Sequence, residues 1–368
     1  MLRNTSRHIA VGASLALLPL VPAPAQVIVA PGETLTEADL NAGVFNGQPF
    51  TLAPGTIFDI GGVLGPVGDP SAPPTGRPFD FQGSTIRVNF GGVIAAGSVV
   101  SDAVIGLFGG GGAANGFATR AGSRVTFLGG ITGDFASALD SFIVINSGGY
   151  GRGFTAGAGT QITINGGGIS NGFTAINGAE ITVNGGVITD FAEVRSGSTL
   201  NVAGGAVERQ LRAFGATVNL SAGAIGEGFG AFTGAAVNIT GGSVSAGFST
   251  DSRVTIAGGS IADGFSALMD SRVELLVQGL SIDGAPVALT PGQELVITQR
   301  GGALLEATLA DGSFLDFTLN SVPIFGQDFF DIRATLTARL AGTIPAPGAA
   351  PLLLAAACAA PRRRRTPA

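Results

Sequence analysis

Gln161-Ile162-Thr163-Ile164-Asn165-Gly166-Gly167-Gly168-Ile169-Ser170-Asn171-Gly172-Phe173 is answered 19 residues later by Glu180-Ile181-Thr182-Val183-Asn184-Gly185-Gly186-Val187-Ile188-Thr189-Asp190-Phe191. Each stretch reads apolar, polar, apolar, Gly turn, apolar, turn, Phe. Period-two alternation marks a strand with one buried face. Gly marks corners that need positive φ or close backbone approach.

The same unit repeats over residues 83–284. Its aromatic position runs Phe117, Phe135, Phe154, Phe173, Phe191, Leu211, Phe229, Phe248 and Phe265, at spacings of 18, 19, 19, 18, 20, 18, 19 and 17 residues. Short strands such as Val125-Thr126-Phe127, Leu200-Asn201-Val202 and Val254-Thr255-Ile256 precede it, and a Gly pair follows most of them. Ala222-Gly223 is the exception. A flexible Gly-rich linker would keep no such spacing.

A strand of three to five residues cannot bury its apolar face alone, whereas identical units stacked at about 4.8 Å bury all of them together. The sequence therefore predicts an all-β fold, a parallel β-solenoid with coils of about 19 residues, with right-handed winding favoured. Ile or Val and each Phe point inward, and the middle Thr or Asn of each strand points out. Each inward Phe is worth about 1.5–3 kcal/mol. Asn146, Asn165 and Asn184 recur at one place, so their amides bond along the axis.

Open solenoid ends recruit other chains and need caps. Residues 26–82 are expected to form an N-terminal cap with the first irregular coils. Residues 285–341 are expected to form an antiparallel β cap with strands at 294–299, 304–309, 314–319 and 329–340. Asp311-Gly312 is its hairpin turn.

Composition bounds the chemistry. Gly and Pro make up 80 of 368 residues, yet 45% of residues are hydrophobic and 12% charged, which excludes a solvated disordered chain. All 19 basic residues are Arg, and the chain has one His (His8), one Cys (Cys358), one Tyr and no Trp. Residues 1–25 read as a signal peptide, with Arg3 and Arg7 before an apolar stretch, and Ala23-Pro24-Ala25 set for cleavage after Ala25. Without that peptide no His remains. Triad catalysis, His- or Cys-ligated zinc, disulfides and Lys Schiff bases are then excluded, and no cofactor or metal is expected. Gly runs such as 109–112 are solenoid corners with no helix pattern behind them, unlike a phosphate loop.

Carboxylate chemistry remains. Paired carboxylates at about 5–9 Å are needed for glycoside hydrolysis. Asp251 and Asp270 share a corner in neighbouring coils, each followed by Ser and then Arg (Arg253, Arg272), and Asp140 lies at a comparable corner. These read as solvated corners with local Asp–Arg pairing; a weak Ca²⁺ site at Asp251 and Asp270 is the competing reading. The sequence supplies an aromatic platform for sugars poorly, with no Trp, one Tyr and Phe mostly assigned to the inward column.

At the C-terminal end, Ile344, Pro345, Ala346, Pro347 and Gly348 precede an apolar segment and then Arg362, Arg363, Arg364 and Arg365. This tail resembles the PEP-CTERM class of bacterial sorting signals, although Ala346 stands where the family usually has Glu, and Pro351 and Pro361 shorten the apolar stretch. The resemblance implies that an exosortase-type membrane protease processes the tail, with signal peptidase acting at the other end. The Arg run halts translocation on the cytoplasmic side. Removing both ends leaves 13 basic residues (19 less six) against 25 acidic ones, the wrong balance for nucleic acid.

Repeats, cap and tail together resemble a group of uncharacterised bacterial surface proteins with Gly-rich β-solenoid repeats. The function expected is that of a non-enzymatic cell-surface or extracellular-matrix solenoid, structural or adhesive. Its partners would be surface polysaccharide or like molecules, with membrane contact only through an uncleaved tail. Two alternatives stand beside it. A polysaccharide hydrolase or lyase on a β-helix would show a groove of three or more acidic residues on adjacent coils. An autotransporter-like adhesin passenger would need a C-terminal barrel, and no series of ten-residue alternating strands fits after residue 285.

Overall fold

Residues 161–164, 168–169 and 173–175 form one complete coil of the protein. Gln161–Ile164 alternates exposed and buried side chains, with Ile162 and Ile164 inward. Gly168–Ile169 puts Ile169 inward, Phe173 fills the next corner, and Thr174–Ala175 turns Ala175 to the core. Each segment pairs in parallel with its counterpart one coil on, Gln161 with Glu180, Gly168 with Val187 and Thr174 with Glu193. The first two segments of every coil build one broad sheet and the third builds a second sheet. The computed structural model describes residues 26–30, 33–35, 39, 44–49, 57–60, 63–64, 83–94 and 96–342.

Successive first segments begin at Thr85, Val104, Arg124, Phe142, Gln161, Glu180, Thr199, Thr217, Ala236, Arg253 and Arg272, all in parallel register. The in-register parallel solenoid is thus present. It also starts earlier than the regular repeat. Gln26–Val29 pairs in parallel with Ile57–Ile60, which pairs with Thr85–Val88. Those two steps are longer, 31 and 28 residues by subtraction of the paired positions.

The turn between first and second segments explains the Gly pair. Gly186 has φ 71°, and a Cβ there would stand 2.4 Å from the Gly167 carbonyl oxygen of the preceding coil. Left-handed backbone and close stacking both demand Gly at that place. In the exceptional unit the first Gly is replaced by Ala222, while Gly223 keeps φ 81°. The second glycine of the pair is the left-handed one in most coils; at Gly129-Gly130 it is the first, with φ 109°.

The inward Phe column departs from expectation at two of its nine members. Phe117, Phe154, Phe173, Leu211, Phe229, Phe248 and Phe265 are fully buried, but Phe135 and Phe191 are 71% and 54% exposed. The strand register gives the reason: Ser137 pairs with Ala118, and Glu193 with Thr174, so Ala136 and Ala192 occupy the core position. Both Ala are buried, and each Phe has slipped one place back into the corner. In the first of these coils the buried Phe127 stands in line with Leu107 and Ile145, and its ring meets that of Tyr150 at 4.8 Å between centroids.

At the C-terminal end the antiparallel cap is present. Ala303–Leu309 pairs antiparallel with Phe314–Leu319 through the Asp311-Gly312 turn, and Glu294–Ile297 pairs antiparallel with Thr335–Leu340. The stretch read as one final strand is two. Phe329–Phe330 and Thr335–Leu340 run parallel to Ser266–Ala267 and Arg272–Val277. The chain therefore winds one further coil after the hairpin. Phe317 from the hairpin stacks on Phe265 at 5.0 Å between centroids, and Phe330 lies 5.5 Å from Phe265. These rings plug the end of the core.

Candidate functional site

The outer surface carries ladders and corners. On the broad sheet Asn165 Nδ2 donates to Asn146 Oδ1 and Asn184 Nδ2 to Asn165 Oδ1, both at 3.0 Å. This is the ladder that the sequence predicts. A second one went unread. Asn219 Nδ2 donates to Asn201 Oδ1 and Asn238 Nδ2 to Asn219 Oδ1, both at 2.8 Å. Its signal was present in the middle-strand Asn of three successive units. Each amide in a ladder interior both donates to and accepts from a neighbouring coil, so much of its polar capacity is already used.

Asp251 and Asp270 lie at one corner but do not pair with their local Arg. Asp251 Oδ1 accepts the Thr233 N–H at 2.9 Å and the Ser252 hydroxyl at 2.7 Å. Arg253 instead reaches Glu274 at 3.6 Å, and Arg272 reaches Glu294 at 2.7 Å. Arg339 spans both carboxylates, 3.4 Å from Glu274 and 3.7 Å from Glu294. Sequence reading missed this cluster because the further coil that supplies Arg339 follows a long insertion. Every oxygen of these two carboxylates faces a guanidinium, which suits a clamp across the last coils better than a proton-transfer pair. Among the described residues no group of three or more His, Cys, Asp or Glu is placed to hold a metal ion.

A shallow notch of about 430 Å³ opens between Ile131 and Val187, where Gly149 and Gly168 leave the surface without side chains. Tyr150 lies beneath it. Its ring stacks on Phe154 at 3.8 Å, its hydroxyl has no hydrogen-bond partner among the described residues, and burial pushes the hydroxyl pKa far up. The notch is lined by Ile131, Ile169, Val187, glycine backbone and the hydroxyl residues Thr132, Ser170 and Thr189, with no carboxylate, His, Cys or Arg in its lining.

The corner before the third segment is the most informative. It holds a column of left-handed residues: Gly97, Gly116, Phe135, Gly153, Gly172, Phe191, Gln210, Gly228, Gly247 and Gly264. Seven are Gly, whereas Phe135 and Phe191 adopt φ 59° and 62°. An aromatic residue in this region carries strain of about 1–3 kcal/mol. Each of the two Phe follows an Asp, and the next coil presents an Arg. Arg152 N donates to Asp134 Oδ1 at 2.8 Å, and Arg209 N donates to Asp190 Oδ1 at 3.1 Å. The Arg209 guanidinium also meets Asp190 Oδ2 at 2.6 Å.

That hydrogen bond from Arg209 holds the Asp190 carboxyl below the usual carboxylate range. The sign of the linkage follows. Stability from the pair is fully present above the unfolded Asp pKa of about 3.9 and is lost as pH falls through the lower folded value. Thermal melts of wild type and Arg209→Gln should differ by a constant amount above about pH 5 and converge in stronger acid. A gap that persists at the acid end would contradict the assignment.

Of the residues singled out from sequence for processing, Ala25, Ile344, Pro345, Ala346, Pro347, Arg362, Arg363, Arg364 and Arg365 lie outside the described residues. Among the described residues no helix is long and apolar enough to cross a membrane. No family model matches the chain, and no curated protein matches it. Among solved structures, the chain is similar to the TibC-catalysed, hyper-glycosylated TibA55-350 fragment, at 18% identity over 68% of this chain and 84% of that one, with a TM-score of 0.20.

Proposed function

We propose that the chain is exported and serves at the cell surface or in extracellular matrix as a structural or adhesive rod, without a catalytic step of its own. The observation that carries this reading is the use of polar groups along the coils. The amides of the two Asn ladders bond coil to coil. The two carboxylates brought together by Arg339 are both engaged by guanidinium groups. Such a surface suits length, rigidity and repeated contact. The leader-like residues 1–25 and the sorting-type tail supply the route, with signal peptidase and an exosortase-type protease as processing partners.

Fractionation of the native host, with mass mapping of both termini, tests the reading. The expected result is protein in the surface or medium fraction, beginning at Gln26 and lacking the Arg cluster. Intact chain retained in the cytoplasm would overturn it.

A further inference from the structure

We propose that the loop 320–327, at the C-terminal end of the rod, dips its apolar tip into a lipid bilayer. It seats the last coil on the membrane while the sorting-type tail is still attached. The proposal rests on the surface reading through that tail.

The loop leads from the hairpin strand Phe314–Leu319 into Phe329–Phe330 of the final coil. Its sequence, Asn320-Ser321-Val322-Pro323-Ile324-Phe325-Gly326-Gln327, holds no charged residue. Polar groups fix its backbone. Asn320 Nδ2 donates to Gln327 Oε1 at 3.1 Å and to the Asp328 carbonyl at 3.2 Å, and the Gln327 N–H donates to the Ile324 carbonyl at 3.1 Å. Val322, Ile324 and Phe325 are nevertheless all exposed, Phe325 completely. Folding uses the polar ends of the loop and not its apolar tip. From residue 143 to 268, Phe191 alone among large apolar side chains is exposed, whereas the C-terminal end also exposes Met269, Val296 and Ile332. Exposed apolar groups gathered in one place mark contact with a protein or a membrane. Phe90 is exposed at the opposite end, but its ring lies across Gly110 of the next coil.

The sequence after the last coil selects the membrane. Gly342 follows closely on the strand Thr335–Leu340 of that coil, and six residues (343–348) separate it from the apolar run 349–360 and the Arg cluster. Fully extended, that connection reaches only about 25 Å. The loop and Gly342 belong to the same coil, so a bilayer that holds the tail lies against the end that carries the loop. The apolar run of 12 residues (349–360) is shorter than the about 20 of a spanning helix, so it holds a bilayer weakly by itself. Attachment becomes firm when a second apolar contact joins the first. A contact on the tethered end of the rod acts at high effective concentration. A loop without charge also meets neutral headgroups free of the repulsion that an acidic chain suffers at anionic lipid.

The chain has no Trp, so Phe325→Trp gives the loop its own fluorescence signal in the full chain. On addition of phosphatidylcholine vesicles the emission is expected to move to the blue, and lipids brominated on their acyl chains are expected to quench it. Phe90→Trp, at the opposite end, should show neither change. The double variant Ile324→Ser, Phe325→Ser should melt with the wild type, since neither side chain lies in the core, and its partition onto sedimented vesicles should fall about fivefold. Emission of the Phe325→Trp chain that vesicles leave unchanged, or a double variant that sediments like the wild type, overturns the proposal. So does a blue shift that grows with protein concentration in the absence of lipid, which marks a second copy as the occupant. Fractionation decides export separately: chain retained in the cytoplasm ends the surface reading, whereas a loop that ignores vesicles leaves that reading standing.

Discussion

Phe173→Ala lowers the stability of the folded rod by about 3–5 kcal/mol, read as a fall in the urea midpoint. The ring is fully buried and stacks against Phe154 at 5.7 Å. Its neighbour on the other side is Ala192, so the variant leaves two successive coils without a ring at this corner. The cavity cannot be filled from Ala192, and the backbone is held by hydrogen bonds to the coils above and below. Thr174 N donates to the Phe154 carbonyl at 2.9 Å, and Glu193 N to the Phe173 carbonyl at 2.8 Å. Collapse around the hole is therefore restricted, which places the loss toward the upper end of the range. A midpoint unchanged from wild type would mean that the ring does not face the core.

Asp328→Ala loosens the C-terminal cap by about 2–3 kcal/mol. This carboxylate is buried and accepts three backbone N–H groups. Oδ1 takes those of Gly264 at 3.1 Å and Phe265 at 2.9 Å, and Oδ2 takes that of Thr318 at 3.0 Å. It thus ties the last regular coil to the hairpin. Burial pushes its carboxyl pKa up against the pull of those donors. Desolvation therefore offsets part of the bonding, and the expected loss is smaller than three charge-assisted bonds would suggest. Asp328→Asn keeps an acceptor for Gly264 and Phe265 and should lose less. Hydrogen exchange at Phe265 and Thr318 checks both variants; equal protection in wild type and Asp328→Ala would refute the role.

The core of the fold was legible because a solenoid writes one cross-section many times. Alternation in Ile162-Thr163-Ile164 names the inward side chains, and the period supplies their neighbours. The same simplicity hid Phe135 and Phe191. Phe spacing tolerates a slip of one residue, whereas the left-handed corner does not. Aligning the units on Gly116, Gly153 and Gly172 would have put both rings in the Gly column and Ala136 and Ala192 in the core. The Arg272 partner was out of reach for a different reason. Its choice of Glu294 over the adjacent Asp depends on where the inserted cap places that strand, and period alone does not specify it, whereas Glu274, the partner of Arg253, lies in the next regular strand. The first two coils were legible only as irregular ones, because extra residues between Gln26 and Thr85 break the period without breaking the sheet.

One property of the regular coils reaches beyond this molecule's present size. The edge that Gln161–Ile164 offers to Glu180–Val183 is equivalent to the edge it accepts from Phe142 through Ile145. A whole unit of about 19 residues copied within this region would meet matching edges on both sides, leaving each terminus as it was. Gene duplication can therefore set the reach of the protein in discrete increments, whereas a partial duplication would add length to a corner without adding a coil, as the longer first two steps do.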